Sequence, residues 1–376
     1  MNHSIMNTPV SNSTLSDPPK RLFSIEAHWT YNFLLPTWPV IIVFGLLANL
    51  TNIVVFLKAG IKDNVTTLML SLSVSDLLYL TIMSSSPYVF IVSHFADHRL
   101  FPFDTNLITE LLYWPAMVFY DFSALISVWL GVTRCACVAM PLKFKSVFTK
   151  TRTVKLVLAS FVLALSLRIP ILSVYRIARR TDPDTNVSYV YLAKHNRKAM
   201  TRINDVLNRN SLQYIYFIIM ITCVCVLSFK LHQASAIRRS HSSTPAPQSE
   251  QASEKPDNQG MSSKDVRVIK SVVMVCSIFI TSQAPFLIYS TVRLINPEFD
   301  VFAKLNNLFV MSSTISRTCS YLNASVNIFV YYNFNSKYKS VCLSMFRKRK
   351  FTYIKNNINN TNLLTYNLNK QPLNAT

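Results

Sequence analysis

Charged and amide side chains stand inside long apolar runs of this 376-residue chain, and they are the residues best placed to do chemistry. Asp76 sits within SLSVSDLLYL, Asp121 within FYDFSALISV, and Arg168 and Arg317 within two further runs. An unpaired charge in hydrocarbon is costly, so each must pair, face a polar cavity or bind something. Arg134 closes the run that breaks at Pro141, and Ser123, Ser127 and Gly131 share its helical stripe at three- and four-residue spacing. An arginine there either snorkels to a membrane boundary or pairs with a carboxylate, and a breakable carboxylate pair makes a switch. Gly45, Asn49 and Asn52 form a stripe in the first run, while Asn323, Asn327 and Tyr331 follow one another at four-residue intervals in the last. Asp76 and Ser123 facing those amides would hold a small cation such as sodium, or a hydrated network with no specific ion. Arg317 lies about three turns from Asn327 and has two competing roles: pairing with Asp121, or receiving an anionic group of a ligand. Tyr88, Tyr113, Trp114, Phe286 and Tyr289 would line the same funnel or simply pack.

Several chemistries are disfavoured. The seven histidines, at 3, 28, 94, 98, 195, 232 and 241, all fall outside the apolar runs, so no metal set or nucleophile–base pair stands out and no enzyme is expected. Two C-x-C pairs, 135/137 and 223/225, lie in apolar runs without histidine partners, which argues against zinc. The net charge of +21 would suit nucleic acid, but the lysines and arginines gather in connectors between runs. Charged residues make up 15% of the chain, against about 25% in a typical soluble domain. The composition is that of a membrane protein.

Seven apolar runs position these residues, at about 38–58, 65–92, 107–139, 153–175, 211–231, 265–294 and 302–332, each near or above the roughly 20 residues that cross a bilayer. Basic connectors follow the first, third and fifth: Lys58 with Lys62, Lys143 to Lys155, and Lys230 to Arg239. With the cluster Arg347 to Lys350 they put the C-terminus in the cytoplasm and the N-terminus outside. The expected organisation is an extracellular glycosylated tail over 1–37, a bundle over 38–333, an amphipathic juxtamembrane helix over 334–350 and a disordered cytoplasmic tail over 351–376. Glycosylation acceptors stand at Asn2 and Asn12, and at Asn186 in the long outer connector 176–210. Residues 240–262 have almost no apolar content and read as disordered and open to phosphorylation. In the juxtamembrane helix Tyr338, Val341, Cys342, Met345 and Phe346 share one face. Cys342 is either a palmitate acceptor or a buried free thiol. No cysteine falls confidently outside the cell, so no extracellular disulfide is expected.

The stretches GLLANLTNIVVF (45–56), LSVSDLL (72–78), TRCACVAMPLKFK (133–145) and NASVNIFVYY (323–332), with Phe279 six residues before Pro285, resemble the rhodopsin-like (class A) G-protein-coupled receptors. In texture the chain is similar to invertebrate peptide receptors, including mollusc chemosensory receptors. The resemblance implies an all-α membrane protein, a seven-transmembrane helix bundle with a short amphipathic eighth helix. It implies that Arg134 is the arginine of the Asp/Glu-Arg-Tyr motif and that Asp76, Ser123, Asn323 and Asn327, with Asn49, form a sodium and water site. Tyr331 would swing inward on activation, and Asp265 would pair with Arg134 at rest. The implied function is binding of an extracellular peptide or small acidic ligand and activation of heterotrimeric G proteins. Arrestin, receptor kinases and membrane lipids are further implied partners, with no nucleic acid and no cofactor beyond the sodium ion. Several positions depart from the pattern: Thr133 and Cys135 flank the arginine, Gln283 replaces a ligand-sensing tryptophan, and Ile328 replaces a proline. Ala116 stands where aminergic receptors carry an aspartate, which disfavours a biogenic amine. The competing class is a multi-span transporter or ion channel; an odd span count, no internal repeat and only four glycines argue against it.

Overall fold

A computed structural model describes residues 30–85, 105–140, 144, 146–181, 188–194, 197–242, 263–301 and 303–345. Among them the chain forms helices α1 (Leu35–Ala59), α2 (Asn64–Met83), α3 (Thr105–Ala139) and α4 (Lys150–Leu172). A hairpin of β1 (Tyr175–Thr181) and β2 (Ser188–Lys194) follows. Then come α5 (Arg197–Asn204, a π-helical stretch Asp205–Ser211, and Leu212–Ser242), α6 (Ser263–Ile295) and α7 (Asn306–Phe334). A further helix, α8, occupies 336–345.

Local chemistry sets several boundaries. Asp63 caps α2 by accepting the Thr66 amide at 2.8 Å, and Thr149 stands at the N-cap of α4. Gly60 ends α1 at φ 77°, a left-handed conformation that a side chain would strain. The first connector is clipped to the second by Asn64 Nδ2 donating to Phe148 O at 2.7 Å and Lys150 Nζ donating to Ile61 O at 2.7 Å.

The seven long helices pack in a ring in which α3 touches α2, α4, α5 and α6, while α7 closes against α1 and α6. Its central place makes α3 deeply buried, from Ala116 to Thr133. Large apolar side chains such as Val40, Leu47, Val162, Ile218 and Phe229 point outward, as a lipid-facing surface requires.

Three features differ from the sequence expectation. Among the described residues six helices are long and apolar enough to cross a membrane; α7 is long enough but more polar, with Ser316, Ser320, Ser325 and Asn327 buried toward the interior. The connector 176–210 is not an open loop. Its first part is an antiparallel hairpin with Tyr175 opposite Lys194 and Thr181 opposite Ser188. Its last part is helix, and the apolar α5 runs from Ala199 to Gln233. The π-helical turn brings Asn204, Asn208 and Asn210 into the interior, so polar residues that read as loop are packed ones. All seven cysteines are free thiols.

Candidate functional site

At the hairpin end of the bundle a narrow, half-open cleft is lined by Tyr79, Tyr113, Tyr120, Phe286, Tyr289 and Arg317, with Met117 and three serines between them. The Arg317 guanidinium lies 5.4 Å from the ring centroids of both Trp38 and Tyr113. Stacking on aromatic faces leaves the N–H edges of a guanidinium available in its own plane. No carboxylate forms an ion pair with it among the described residues. Below, Tyr120 donates to Gln283 Oε1 at 2.7 Å, and both are buried. At the rim Arg209 contacts the Tyr289 hydroxyl and sits over the Phe286 ring, balanced by Asp205 at 3.6 Å.

The expected Asp121–Arg317 pair is not formed. Asp121 instead takes Nε of Arg168 at 2.5 Å and Nη2 at 2.8 Å, while Arg168 Nη1 donates to Asn204 at 3.0 Å. The reason is rotational: Asp121 sits on the α3 face toward α4 and α5, whereas Arg317 faces α1 and the outer turns of α3. Asp121 is therefore a bundle residue, not a wall of the cleft. Trp114 also turns away, donating to the Tyr175 hydroxyl at 2.7 Å and so anchoring the hairpin. Tyr88 lies outside the described residues.

In mid-bundle, Ser123 Oγ donates to one Asp76 oxygen at 2.6 Å and Asn327 Nδ2 to the other at 2.9 Å. Asn49 donates to the Gly45 and Ala324 carbonyls at 2.9 and 2.7 Å, tying α1 to α7. Asn323 is half-buried and makes no bond to Asp76 among the described residues. Asn49 Oδ1, Ser73 Oγ and the Tyr331 hydroxyl are buried without a hydrogen-bond partner among the described residues. Both Asp76 oxygens are thus taken by protein donors, and buried oxygens left over in the bundle can be met by water or a hard cation.

At the opposite end from the cleft, Thr133 is fully buried and donates to Leu130 O at 3.0 Å, so it offers Arg134 no charge. Arg134 Nε is buried with no hydrogen-bond partner among the described residues. Asp265 lies in α6, but its side chain is outside the described set, as is Pro141; the Arg134–Asp265 pair rests on neither. Asn2, Asn12 and Asn186 are outside it too. Tyr331 packs between Phe56 and Tyr338, at 5.2 and 5.8 Å between ring centroids. Cys342 faces the bundle, 7% exposed, and burial pushes its thiol up, which leaves less thiolate for acyl transfer.

The sequence profile described as 7 transmembrane receptor (rhodopsin family) matches residues 48–331. The chain belongs to that family. No curated protein matches it. As a member of the family it is a multi-pass membrane receptor.

Sequence reasoning missed Tyr79, Tyr120 and the serines of the cleft, because a tyrosine or serine in an apolar run reads as packing. It also missed Asp63, whose signal was present: an aspartate immediately before an apolar helical run is a cap.

Proposed function

We propose that this receptor takes a small acidic ligand, or the acidic end of a peptide, into the cleft at Arg317 and activates a heterotrimeric G protein at the Arg134 end. The observation that carries the reading is a guanidinium in an aromatic cleft with no acidic partner among the described residues. A carboxylate entering there would gain a charge-assisted, bidentate contact where water is scarce. The basic outer connector, with Arg176, Arg179 and Arg202, would draw anions toward it. Ligand pressing on Tyr120 would disturb its bond to Gln283 and hence α6, which carries Phe279 and Pro285 toward the Arg134 end. In this reading Asp265 restrains Arg134 at rest, and sodium or water at Asp76 stabilises the resting packing. The N-terminus is outside the plasma membrane and glycosylated, and residues 240–262 are substrates for receptor kinases that recruit arrestin. A chemosensory or neuropeptide ligand is the narrower form of the same proposal.

The test is activation by candidate acids and acidic peptides in cells expressing Arg317→Ala and Arg317→Lys. Removing one partner of a buried charge pair costs about 2 kcal/mol or more, so potency should fall by roughly 30-fold or more for alanine and less for lysine. Unchanged potency in both variants removes Arg317 from binding.

A further inference from the structure

Gly131 and Cys135 stand one turn apart on α3, on the side that meets α5 and α6 at the Arg134 end of the bundle. A methyl added to Gly131 would lie 3.1 Å from Met220 Sδ, 3.3 Å from Cys276 Sγ and 3.7 Å from Cys223 Sγ. The missing side chain is therefore the space in which sulfurs from α5 and α6 come together over α3. One turn on, the Cys135 thiol donates to the Cys223 carbonyl oxygen at 3.4 Å, and its sulfur lies beside that of Cys223. Cys223 and Cys276 are buried, whereas Cys135 is half-buried.

Packing alone would account for a buried cysteine, which behaves as a small hydrophobe. Cys135 differs on two counts. Its thiol is directed at one cysteine of another helix, and it is the member of the cluster that a small reagent can reach. An accessible thiol with a second beside it is the arrangement of a redox-sensitive pair.

We propose that Cys135 and Cys223 are a modification site, joined reversibly as a disulfide by hydrogen peroxide. The Cys135 sulfur attacks one peroxide oxygen, the O–O bond breaks, one water leaves and Cys135 becomes a sulfenic acid. The Cys223 sulfur then attacks the Cys135 sulfur, the S–O bond breaks, and a second water leaves with the Cys223 proton. The two thiols lose two electrons and two protons, and the peroxide is reduced to two waters. The bridge ties α3 to α5 at the residue that follows Arg134. On the G-protein reading above this seam faces the cytoplasm and opens on activation, so the bridged receptor is held at rest until cytoplasmic thiols reduce it. That consequence rests on the G-protein reading; the bridge itself does not.

Peptide mapping of the purified full chain in lipid nanodiscs tests the bridge, with hydrogen peroxide treatment, alkylation of free thiols and proteolysis without reductant. The expected product is a peptide pair joined through Cys135 and Cys223 that dithiothreitol releases. Cys276→Ala should leave that pair in place, and Cys223→Ala should remove it. No bridge at all, a pair joined through Cys223 and Cys276, or Cys135 carried to the sulfinic acid with Cys223 still free overturns the assignment. Peroxide should also remove most ligand-stimulated nucleotide exchange from the native chain, reversibly with dithiothreitol, and spare Cys223→Ala; an equal loss in Cys223→Ala overturns the regulatory role. If the native chain drives no exchange with any acid tested, the receptor reading fails while the peptide map still decides the bridge.

Discussion

Replacing Asp121 by asparagine keeps the shape and one acceptor but removes the charge that Arg168 faces. Arg168 is 3% exposed and loses its only carboxylate among the described residues, at 2.5 Å. Removing one partner of a buried pair costs about 3–5 kcal/mol, because the other charge stays buried and uncompensated. In a cooperative bundle of this size a loss of that order should lower Tm by several degrees. The buried thiols Cys223 and Cys276 provide the assay, since a thiol-reactive fluorophore reports their exposure on heating. Asp121→Leu with Arg168→Met removes both charges and should recover the native Tm or exceed it. Ligand potency should stay within about threefold in that double variant, because neither side chain lines the cleft. A native Tm for Asp121→Asn, accompanied by a loss of potency of about tenfold or more, would refute the structural role and return Asp121 to the ligand.

Three further outcomes are expected. Gly45→Ala places a methyl 2.2 Å from Ser325 Oγ and 2.5 Å from Leu80 Cδ1, so overpacking should cost about 1–3 kcal/mol, measured by the same thermal assay and partly relieved by Ser325→Ala. Arg134→Ala should abolish ligand-stimulated nucleotide exchange while surface expression, measured by an epitope tag, stays largely intact. Asp265→Ala should raise ligand-independent exchange at matched expression; a flat basal rate counts against the Arg134–Asp265 pair.

The helices were legible because a bilayer demands apolar runs of nearly fixed length, and those runs are visible one at a time. Pairing between helices was not. Asp121, Arg168 and Arg317 all stand out as intramembrane charges, yet which arginine meets the aspartate depends on how each helix is rotated about its axis, and spacing along one chain does not set that. The Asp76, Ser123 and Asn327 contacts were legible through the family's pattern, while Asn323 on the same stripe stays half-buried and makes no bond to Asp76 among the described residues. The start of α5 was hidden because Arg202, Asn204, Asn208 and Arg209 look like loop, and only the π-helical turn sends the asparagines inward. The cleft was half legible: charge advertised Arg317, but nothing distinguished Tyr120 from the packing tyrosines.

The polarity of α7 bears on how the protein is made. A segment with so many hydroxyls, amides and an arginine gains little by leaving the translocation machinery for lipid on its own. Its entry has to wait until α1 and α6 offer a groove that satisfies those groups, which makes the seventh helix a checkpoint on the assembly of the first six. Changes that spoil that groove should appear as chains with the segment from 335 onward stranded on the wrong side of the bilayer, before any loss of signalling is measured.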